Sequence, residues 1–306
     1  MTKKKMILTI GVSASGKTTW AEQFVRDRKE LGDLWVNINR DDIRSIIFAE
    51  KTGKNEDDFT WAEWNKGWEK PATSRWKDAI KTAMKWYDNI IISDTNLNPS
   101  IRDMLGNMAR EKGFDVENKH FPIEFDVAVK RDLARKNPVG AMVIASQMKM
   151  YWEQFSEKYV PDTSLPKAVL VDIDGTVAHA NNRGIYDSTL VHTDTPDRFV
   201  ISVVRGLKDQ GFKIIFLSGR EDKCRDVTAE WLEVNLGFKP DVLAMRTTGD
   251  MRRDSIVKKE IFNQYIRNFY WVEGVIDDRP QVIMECWGPL GIQVLKSGQD
   301  NPYIWF

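Results

Sequence analysis

Cysteine and long apolar runs are both scarce in this sequence. Only Cys224 and Cys286 occur among the 306 residues, too few for a disulfide framework or a zinc cluster. We therefore expect two unpaired thiols in a reducing compartment. No apolar run approaches the length of about 18 residues that spans a membrane. The run Met6–Ile10, behind a basic N-terminus, is too short for the core of a signal peptide. The sequence thus predicts no membrane segment.

A net charge is also missing. Lysine plus arginine and aspartate plus glutamate number 45 each, so a polyanionic partner must be held by local patches and not by a global field. Tryptophan, in contrast, is abundant, with 12 residues. Five of them recur at roughly helical spacings in one stretch: Trp61, Trp64, Trp68, Trp76 and Trp86. They suit either stacking on nucleobases or packing in a core, and packing is the commoner use of aromatic residues.

The length fits two globular domains of ordinary size. The segment Val160–Pro166 places two prolines and polar turn formers between a helical stretch and a new apolar run, which predicts domains over 1–160 and 166–306. In both, short apolar strands alternate with helical segments, which predicts α/β domains with parallel sheets. The predicted strands are 5–10, 34–38, 89–93 and 115–121 in the first domain, and 168–172, 212–218, 241–245, 272–276 and 291–295 in the second.

A phosphate-binding motif directly follows the first predicted strand. Residues 11–18 read Gly11-Val12-Ser13-Ala14-Ser15-Gly16-Lys17-Thr18, the GxxxxGK[ST] pattern of a P-loop. The glycines let backbone amides close around phosphates, next to the positive end of the following helix. Lys17 is expected to reach the β- and γ-phosphates of a nucleotide and Thr18 to ligate Mg²⁺, with Thr19 beside them. The motif indicates a nucleoside triphosphate but does not identify what is phosphorylated.

Candidates for the acceptor side follow the later strands. Asp41 ends the second strand, and Arg44 shares its helix face three residues on. They suit a base and a phosphate-holding cation, or else a helix-capping aspartate with a solvated ion pair. Asp94 ends the third strand, either in the site or as a turn residue. Arg131 and Arg135 lie four apart on a helix predicted over 124–136, and suit a lid that clamps phosphate or a solvated basic face.

A second motif, DxDGT, occupies residues 172–176 after four apolar residues. Asp172 is placed to attack phosphorus and form an aspartyl-phosphate. Asp174 can protonate the leaving oxygen and later activate water, while Gly175 permits the turn between strand and loop. A calcium-binding loop is the formal rival, but the later ligand spacing and closing glutamate of such a loop are missing. The motif is typical of aspartate-based phosphatases.

Further candidates follow in the order that such phosphatases require. Ser218 ends an apolar strand, with Gly219 and Arg220 directly after it, and its hydroxyl can bind the transferred phosphoryl group. Lys258 can neutralise the phospho-aspartate. Taken singly, Ser218 suits a turn and Lys258 the surface, but the ordered set behind DxDGT favours a site. The predicted Mg²⁺ ligands are Asp172, Asp174, Asp277 and Asp278. The polar segment 179–194 predicts a small cap or loop.

The first half resembles the kinase domain of the bifunctional phage polynucleotide 5′-kinase/3′-phosphatase family. The resemblance lies in Ile38-Asn39-Arg40-Asp41-Asp42, Ser93-Asp94-Thr95-Asn96-Leu97-Asn98 and Val129-Lys130-Arg131. It implies that Asp41 is the general base, that Arg44 holds the 3′-phosphate of the acceptor, and that Asp94 is an essential acceptor-site carboxylate. It also implies that Arg135, with Arg131 beside it, is the lid arginine that contacts the nucleotide and stabilises the transition state.

The second half resembles the phosphatase domain of the same family, through Ser218-Gly219-Arg220, Ile256-Val257-Lys258 and Ile276-Asp277-Asp278-Arg279. The resemblance implies that Arg183 and Arg220 hold the substrate phosphate and that Asp254 is a further essential acidic residue. The implied fold class is α/β in two domains. A P-loop NTPase-like parallel sheet is followed by a Rossmann-like phosphatase domain of the haloacid-dehalogenase (HAD) type.

The predicted function is the repair of nucleic-acid ends. The first domain is expected to move the γ-phosphate of ATP to a 5′-hydroxyl and the second to remove a 3′-phosphate, with Mg²⁺ in both, for a ligase that acts downstream on DNA or RNA. The resemblance also implies a cytoplasmic protein (in the host cell if phage-encoded) that forms homo-oligomers, with the tail Tyr303–Phe306 as a candidate interface. One alternative is a kinase/phosphatase pair for a small phosphorylated metabolite. The other, a scaffold with dead sites, is disfavoured because both halves contain the expected catalytic groups.

Overall fold

The computed structural model describes residues 4–181 and 190–298. Arg183 and the tail Tyr303–Phe306, to which the sequence analysis assigned candidate roles, lie outside these ranges. The chain forms two compact units that divide between Tyr151 and Trp152. Tyr159 belongs to the buried core of the second unit, where its ring lies 5.3 Å from that of Phe262. Residues 152–160, which the sequence assigned to the first domain, therefore lie with the second unit.

The first unit is built on a four-stranded parallel sheet. Its strands are β1 (Lys4–Ile10), β2 (Trp35–Ile38), β3 (Asn89–Ile92) and β4 (Phe114–His120), in the spatial order β2-β3-β1-β4. Its helices are α1 (Lys17–Glu30), α2 (Arg40–Thr52), α3 (Glu69–Trp86), α4 (Pro99–Glu111), α5 (Phe125–Leu133) and α6 (Ala141–Phe155), the last of which runs on into the residues of the second unit. Two 3₁₀ turns, Glu56–Asp58 and Lys66–Trp68, precede α3.

The tryptophan-rich stretch mostly packs in this unit. On α3, Trp76 and Ile80 are fully buried four residues apart, as expected for one face of an amphipathic helix. Trp64 and Trp68 pack against the same core, whereas Trp86 is 79% exposed at the helix end. Core packing is thus the main use of this cluster, as the sequence favoured.

The second unit is built on a five-stranded parallel sheet. Its strands are β5 (Lys167–Val171), β8 (Lys213–Glu221), β9 (Val242–Arg246), β10 (Trp271–Asp277) and β11 (Gln293–Lys296), in the order β11-β10-β5-β8-β9, beside an antiparallel pair, β6 (Ala178–His179) and β7 (Thr195–Pro196). Its helices are α7 (Arg198–Asp209), α8 (Arg225–Leu236), α9 (Asp254–Ile261), α10 (Pro280–Val282) and α11 (Gly288–Leu290). Short 3₁₀ turns at Val191–Thr193 and Asp222–Cys224 and π-helical turns at Phe262–Ile266 and Ile283–Trp287 complete it. No helix in the described parts of the chain combines the length and the apolar character that crossing a membrane needs.

The carboxyl ends of the strands position the candidate residues. In the first unit the P-loop follows β1, and Asp94 lies two residues after β3. In the second unit Asp172 follows β5 directly and Asp277 ends β10. Parallel strands bring these ends to one edge of a sheet, which is where open α/β sheets bind ligands.

Candidate active sites

The P-loop has the shape that phosphate binding requires. Gly16 has a left-handed backbone, with φ of 94°, and a Cβ on Gly11 would lie only 2.8 Å from the carbonyl oxygen of Phe121. Lys17 is buried, and its Nζ donates to the Val12 carbonyl oxygen at 2.5 Å and to the hydroxyl of Ser15 at 3.2 Å. Burial lowers the pKa of Lys17 to about 8, although nearby carboxylates oppose the shift. Phosphate oxygens beside this lysine would raise its pKa again.

A cavity of about 920 Å³ opens beside the P-loop. Its wall combines residues from the loop, from the carboxyl ends of β2 and β3, and from the segment around α5. The candidate residues that line it are Ser13, Ala14, Gly16, Lys17, Thr18, Thr19, Asp41, Arg44, Asp94, Arg131 and Arg135. Gly11 and Ser15 belong to the loop but are not part of the cavity wall. The structure therefore brings the predicted donor and acceptor residues of the first unit to one cavity.

Asn39 links the strands to the P-loop. Its side-chain oxygen accepts from the Asp41 N–H at 2.8 Å and so caps α2. Its amide nitrogen donates to the hydroxyls of Thr18 at 3.2 Å and Ser93 at 3.3 Å. The predicted Mg²⁺ ligand Thr18 is thus oriented by a residue to which the sequence assigned no role.

Arg44 is held by two carboxylates. Its Nη1 donates to Asp41 Oδ1 at 2.6 Å, while Nη2 and Nε donate to the two carboxylate oxygens of Glu69 at 2.5 and 3.1 Å. Burial lowers the pKa of Arg44, but the bonds to Glu69 and Asp41 outweigh it and raise the pKa. The guanidinium also lies 5.3 Å from the ring centroid of Trp61. The predicted Asp41–Arg44 pair is formed, and Glu69, which no motif marks, completes it.

Asp94 is a half-buried carboxylate, and one of its oxygens has no hydrogen-bond partner. Its Oδ1 accepts from the Arg40 N–H at 2.7 Å, whereas its Oδ2 is buried without a hydrogen-bond partner. Burial raises the pKa of Asp94 to about 6. Because Asp94 lines the cavity, a group that enters it can donate to this oxygen. Together with the Thr18 hydroxyl, it provides hard oxygen donors of the kind that Mg²⁺ prefers.

The two lid arginines do not share a helix. The predicted helix over 124–136 ends at Leu133, so only Arg131 lies on α5 and Arg135 follows in a turn. Buried Asp132 explains the early end, because its carboxylate accepts from Arg135 Nη1 at 3.3 Å and from the N–H groups of Val139 and Gly140 at 3.2 and 2.9 Å. Both arginines nevertheless line the cavity.

Lys258 lies at the centre of the second site. It is fully buried, and its Nζ lies 2.9 Å from Asp172 Oδ1, 2.9 Å from Asp277 Oδ2 and 3.6 Å from Asp254 Oδ2. Burial lowers the pKa of Lys258, but these carboxylates raise it well above its ordinary value. Burial raises the pKa of Asp172, Lys258 opposes this shift, and the neighbouring carboxylates add to it. Lys258 is therefore a permanent cation beside the predicted nucleophile, and the alternative of a surface lysine is wrong.

Three carboxylates form a cluster that fits a divalent cation. Asp172, Asp277 and Asp278 each place one oxygen within 4.8 Å of the others, and such oxygen donors suit Mg²⁺. A Cβ on Gly175, which has φ of 83°, would lie 2.1 Å from Asp278 Oδ2. Glycine is thus needed where the DxDGT loop meets this cluster. The carboxylate of Asp174, the fourth predicted ligand, lies elsewhere, on Arg220.

Arg220 is held by carboxylates in the described part of the chain, and its contact with the substrate phosphate stays a prediction. Its side chain is only 5% exposed. Nε and Nη2 donate to the two carboxylate oxygens of Asp174, each at 2.8 Å, and Nη2 also donates to Asp194 Oδ2 at 2.6 Å. Asp194 lies 26 residues from Arg220, and no sequence motif marks it. Arg183, the second predicted phosphate ligand, lies outside the described residues.

Ser218 and Gly219 lie inside β8 and not after it, at an irregularity in the pairing with β9. The Ser218 hydroxyl is buried and accepts from the N–H two residues on, at 3.1 Å. A Cβ on Gly219 would lie 2.4 Å from Asp254 Oδ1, so a larger residue here would displace this carboxylate. Asp254 accepts from Arg246 at 3.1 Å and from Arg279 at 3.3 Å. Neither arginine was predicted to have a role, although Arg279 directly follows the two predicted metal-site aspartates.

These two units define the class of the protein: a P-loop domain with a cavity beside the loop, joined to an α/β domain whose DxDGT loop meets a buried lysine and a carboxylate cluster. Family models match the same two parts. Residues 6–157 match an AAA domain, and residues 166–301 match the polynucleotide kinase PNKP phosphatase domain. The chain belongs to the polynucleotide kinase/phosphatase family. The resemblance and the two-domain α/β fold expected from the sequence are thereby confirmed.

Similar proteins cover nearly the entire chain. A protein of Autographa californica nuclear polyhedrosis virus, assigned as a bifunctional polynucleotide kinase/RNA ligase, is 33% identical over 297 residues, which are 94% of this chain and 42% of that protein. The chain thus spans less than half the length of this relative. Two solved structures of the Pnkp1/Rnl/Hen1 complex, one described as an RNA repair complex, contain chains with 30% and 31% identity. Each match covers 97% of this chain and 96% or 97% of the other, with TM-scores of 0.44 and 0.45.

Proposed function

We propose that this protein heals nucleic-acid ends, with a 5′-hydroxyl kinase in the first unit and a 3′-phosphatase in the second. The observation that carries the proposal is the presence of two different phosphate sites in one chain. One is the P-loop cavity with Asp41 and Arg44 in its wall, and the other is the Asp172–Lys258 centre. The products, a 5′-phosphate and a 3′-hydroxyl, are the ends that a ligase joins.

In the kinase reaction, the 5′-oxygen of the acceptor attacks the γ-phosphorus of ATP. Asp41 takes the proton from that oxygen, the bond between the γ-phosphorus and the β–γ bridging oxygen breaks, and ADP leaves. Lys17, Arg131 and Arg135 face the cavity, where their charges balance the phosphate oxygens in the transition state. Arg44, beside the ring of Trp61, holds the phosphate on the 3′ side of the acceptor nucleoside. A cation next to an aromatic face favours a nucleotide acceptor over a small polar metabolite.

In the phosphatase reaction, an Asp172 oxygen attacks phosphorus while the bond from phosphorus to the 3′-oxygen breaks. Asp174 gives its proton to that leaving oxygen, so that a 3′-hydroxyl departs and an aspartyl-phosphate remains. Asp174 then takes a proton from water as the water oxygen attacks phosphorus, and phosphate and the Asp172 carboxylate are released. Lys258 neutralises the oxygens of the phosphorylated Asp172. Mg²⁺ held by Asp172, Asp277 and Asp278, and by Thr18 in the first unit, would add further neutralisation of phosphate charge.

The relatives support an RNA-repair setting and a ligase partner. The virus relative is assigned both a polynucleotide kinase and an RNA ligase, and the other matched chains occur in structures of a Pnkp1/Rnl/Hen1 complex. We therefore propose RNA ends as substrates and a separate or fused RNA ligase as the enzyme that follows.

One reaction tests both activities. The chain is incubated with Mg²⁺, radiolabelled ATP and an oligoribonucleotide that has a 5′-hydroxyl and a 3′-phosphate, and both ends are then analysed. We expect label at the 5′ end and loss of the 3′-phosphate. A parallel screen of small phosphorylated metabolites separates the metabolite alternative. Turnover of a metabolite with both oligonucleotide ends unchanged would refute end repair.

A further inference from the structure

We infer that Asp194 is a positioning residue of the phosphatase site, holding Arg220 so that Arg220 in turn fixes Asp174. The inference rests on the proposed phosphatase function. It adds a residue that lies outside the DxDGT motif and its ordered partners, and it gives Arg220 a task other than binding the substrate phosphate.

Asp194 is itself fixed within the fold. Its side chain has no exposed surface, and its Oδ2 accepts from Arg220 Nη2 at 2.6 Å. Its carbonyl oxygen accepts from the indole Nε1 of buried Trp231, at 3.0 Å, and its N–H donates to the Val191 carbonyl oxygen at 3.3 Å. Backbone and side chain are thus both anchored. A buried ion pair such as Asp194–Arg220 often adds little stability over well-packed apolar residues in place of both partners, so we assign the use of the pair to the geometry that it imposes.

Arg220 transmits that geometry. A guanidinium is a planar fork whose orientation is set when two of its nitrogens are bonded at once. Here Nε and Nη2 bond the two oxygens of Asp174, while the second hydrogen of Nη2 is directed to Asp194. Nη1 lies 3.4 Å from the Thr228 hydroxyl. Asp194 is thus an anchor of the fork that lies outside the reacting groups, and the fork in turn holds the Asp174 carboxylate by both of its oxygens.

The consequence falls on one step of the reaction. Asp174 must meet the leaving 3′-oxygen as the phosphorus–oxygen bond breaks. A displacement of about 1 Å in a catalytic group can cost about a hundredfold in rate. Loss of Asp194 should thus slow departure of a leaving group that needs a proton and spare one that does not.

The test compares two 3′-phosphorylated oligonucleotides that differ in one atom. In one the bridging atom is the natural 3′-oxygen, and in the other it is sulfur, which departs as a thiolate without a proton. Release of the leaving group is followed in a single turnover with excess full-length enzyme. For Asp194→Ala we expect the rate on the oxygen substrate to fall about 10- to 100-fold and the rate on the sulfur substrate to change much less. Asp194→Asn keeps the size of the side chain and one acceptor oxygen. Its rate on the oxygen substrate should therefore lie between those of Asp194→Ala and the unmutated enzyme.

Asp197→Ala is the matched control. Asp197 is a nearby aspartate whose Oδ1 accepts from the Val200 N–H at 3.0 Å and caps α7. Its loss should lower stability without changing the oxygen-to-sulfur rate ratio. The inference would be overturned if Asp194→Ala and Asp194→Asn lowered the rates on both substrates equally. It would also be overturned if the variants only raised the enzyme concentration needed for half-saturation. Either result would leave Arg220 its predicted role in binding the substrate phosphate. Inactivity of the unmutated chain on both substrates would instead overturn the proposed function, and the inference with it.

Discussion

Replacing Lys258 with methionine should destabilise the second unit strongly, and Mg²⁺ should reverse much of the loss. Lys258 has no exposed surface and lies 2.9 Å from both Asp172 and Asp277. Methionine is of similar length but carries no charge. The variant would therefore leave the buried carboxylates facing one another, with Arg279 and Arg246 as the cations that bond Asp254 in the described ranges.

The size of the loss follows from two opposing energies. With an effective dielectric constant of about 20, each 2.9 Å ion pair is worth about 6 kcal/mol of gross attraction. Burial of the lysine cation offsets several kcal/mol of that sum, and removing one partner of a buried pair typically costs about 3–5 kcal/mol. For a unit of about 150 residues, this corresponds to a fall of roughly 6–20 °C in melting temperature.

Calorimetry of the full chain measures the effect, with EDTA or with Mg²⁺, and over a range of pH. Mg²⁺ binds the carboxylates of the folded state, so it should raise the melting temperature of Lys258→Met more than that of the unmutated chain. The folded-state pKa of Asp172 is already raised above 3.8, and it rises further without Lys258. A carboxyl group whose pKa is higher in the folded than in the unfolded state lowers stability as the pH rises from the unfolded-state to the folded-state pKa. The difference in melting temperature between Lys258→Met and the unmutated chain should therefore shrink as the pH falls below neutrality.

Lys259→Met is the control, because Lys259 is the exposed neighbour on the same helix. Its melting temperature should match that of the unmutated chain in both buffers. If Lys258→Met in EDTA near neutral pH also melted like the unmutated chain, the carboxylates around Lys258 would not be uncompensated, and the electrostatic account of this site would be wrong.

Three further predictions concern the division of labour. Lys17→Ala should abolish 5′-phosphorylation and spare 3′-phosphate removal, and Asp172→Asn should do the reverse; loss of both activities in either folded variant would contradict two separate sites. Asp41→Ala should lower the kinase rate by about a hundredfold or more. Asp42 does not line the cavity, so Asp42→Ala should lower the rate much less. Steady-state rates in the opposite order would exclude Asp41 as the base. A nucleoside 3′-phosphate should be a far better acceptor than the bare nucleoside, and Arg44→Ala should narrow that difference in kcat/KM; equal use of both acceptors by the unmutated enzyme would exclude the role of Arg44.

The parts of the sites that were predictable are those encoded by neighbouring residues. The P-loop must wrap one stretch of backbone around phosphates, and the DxDGT loop must place two carboxylates on one turn, so both leave a contiguous pattern. Asp277 and Asp278 could be placed because they follow an apolar strand. For these residues, knowing where a strand ends is nearly enough to locate the side chain.

The residues that escaped prediction act across the fold. Glu69 accepts from Arg44, 25 residues away in the sequence, and Asp194 accepts from Arg220, 26 residues away. Neither spacing belongs to a motif or to the period of a helix or strand, so the sequence alone does not indicate these pairs. The end of α5 was also missed, since buried Asp132 folds the following turn back through the N–H groups of Val139 and Gly140. Helical periodicity continues past Leu133 in the sequence, whereas the competing hydrogen bonds arise only from tertiary structure.

The carboxylates around Arg44 have a consequence for how the protein leaves its substrate. A phosphate that reaches this arginine exchanges with oxygens of Glu69 and Asp41 that already balance the charge. A phosphate bound by an unpaired cation releases condensed counterions from the nucleic acid, whereas a phosphate bound by this paired arginine releases fewer. The affinity for nucleic acid should therefore fall less steeply as the salt concentration rises. Because the chain has as many acidic as basic residues, electrostatic binding along the length of a nucleic-acid strand should also be weak. Under the proposed end-repair function, the enzyme would find ends by their chemistry, and a healed end would dissociate readily and be free for joining.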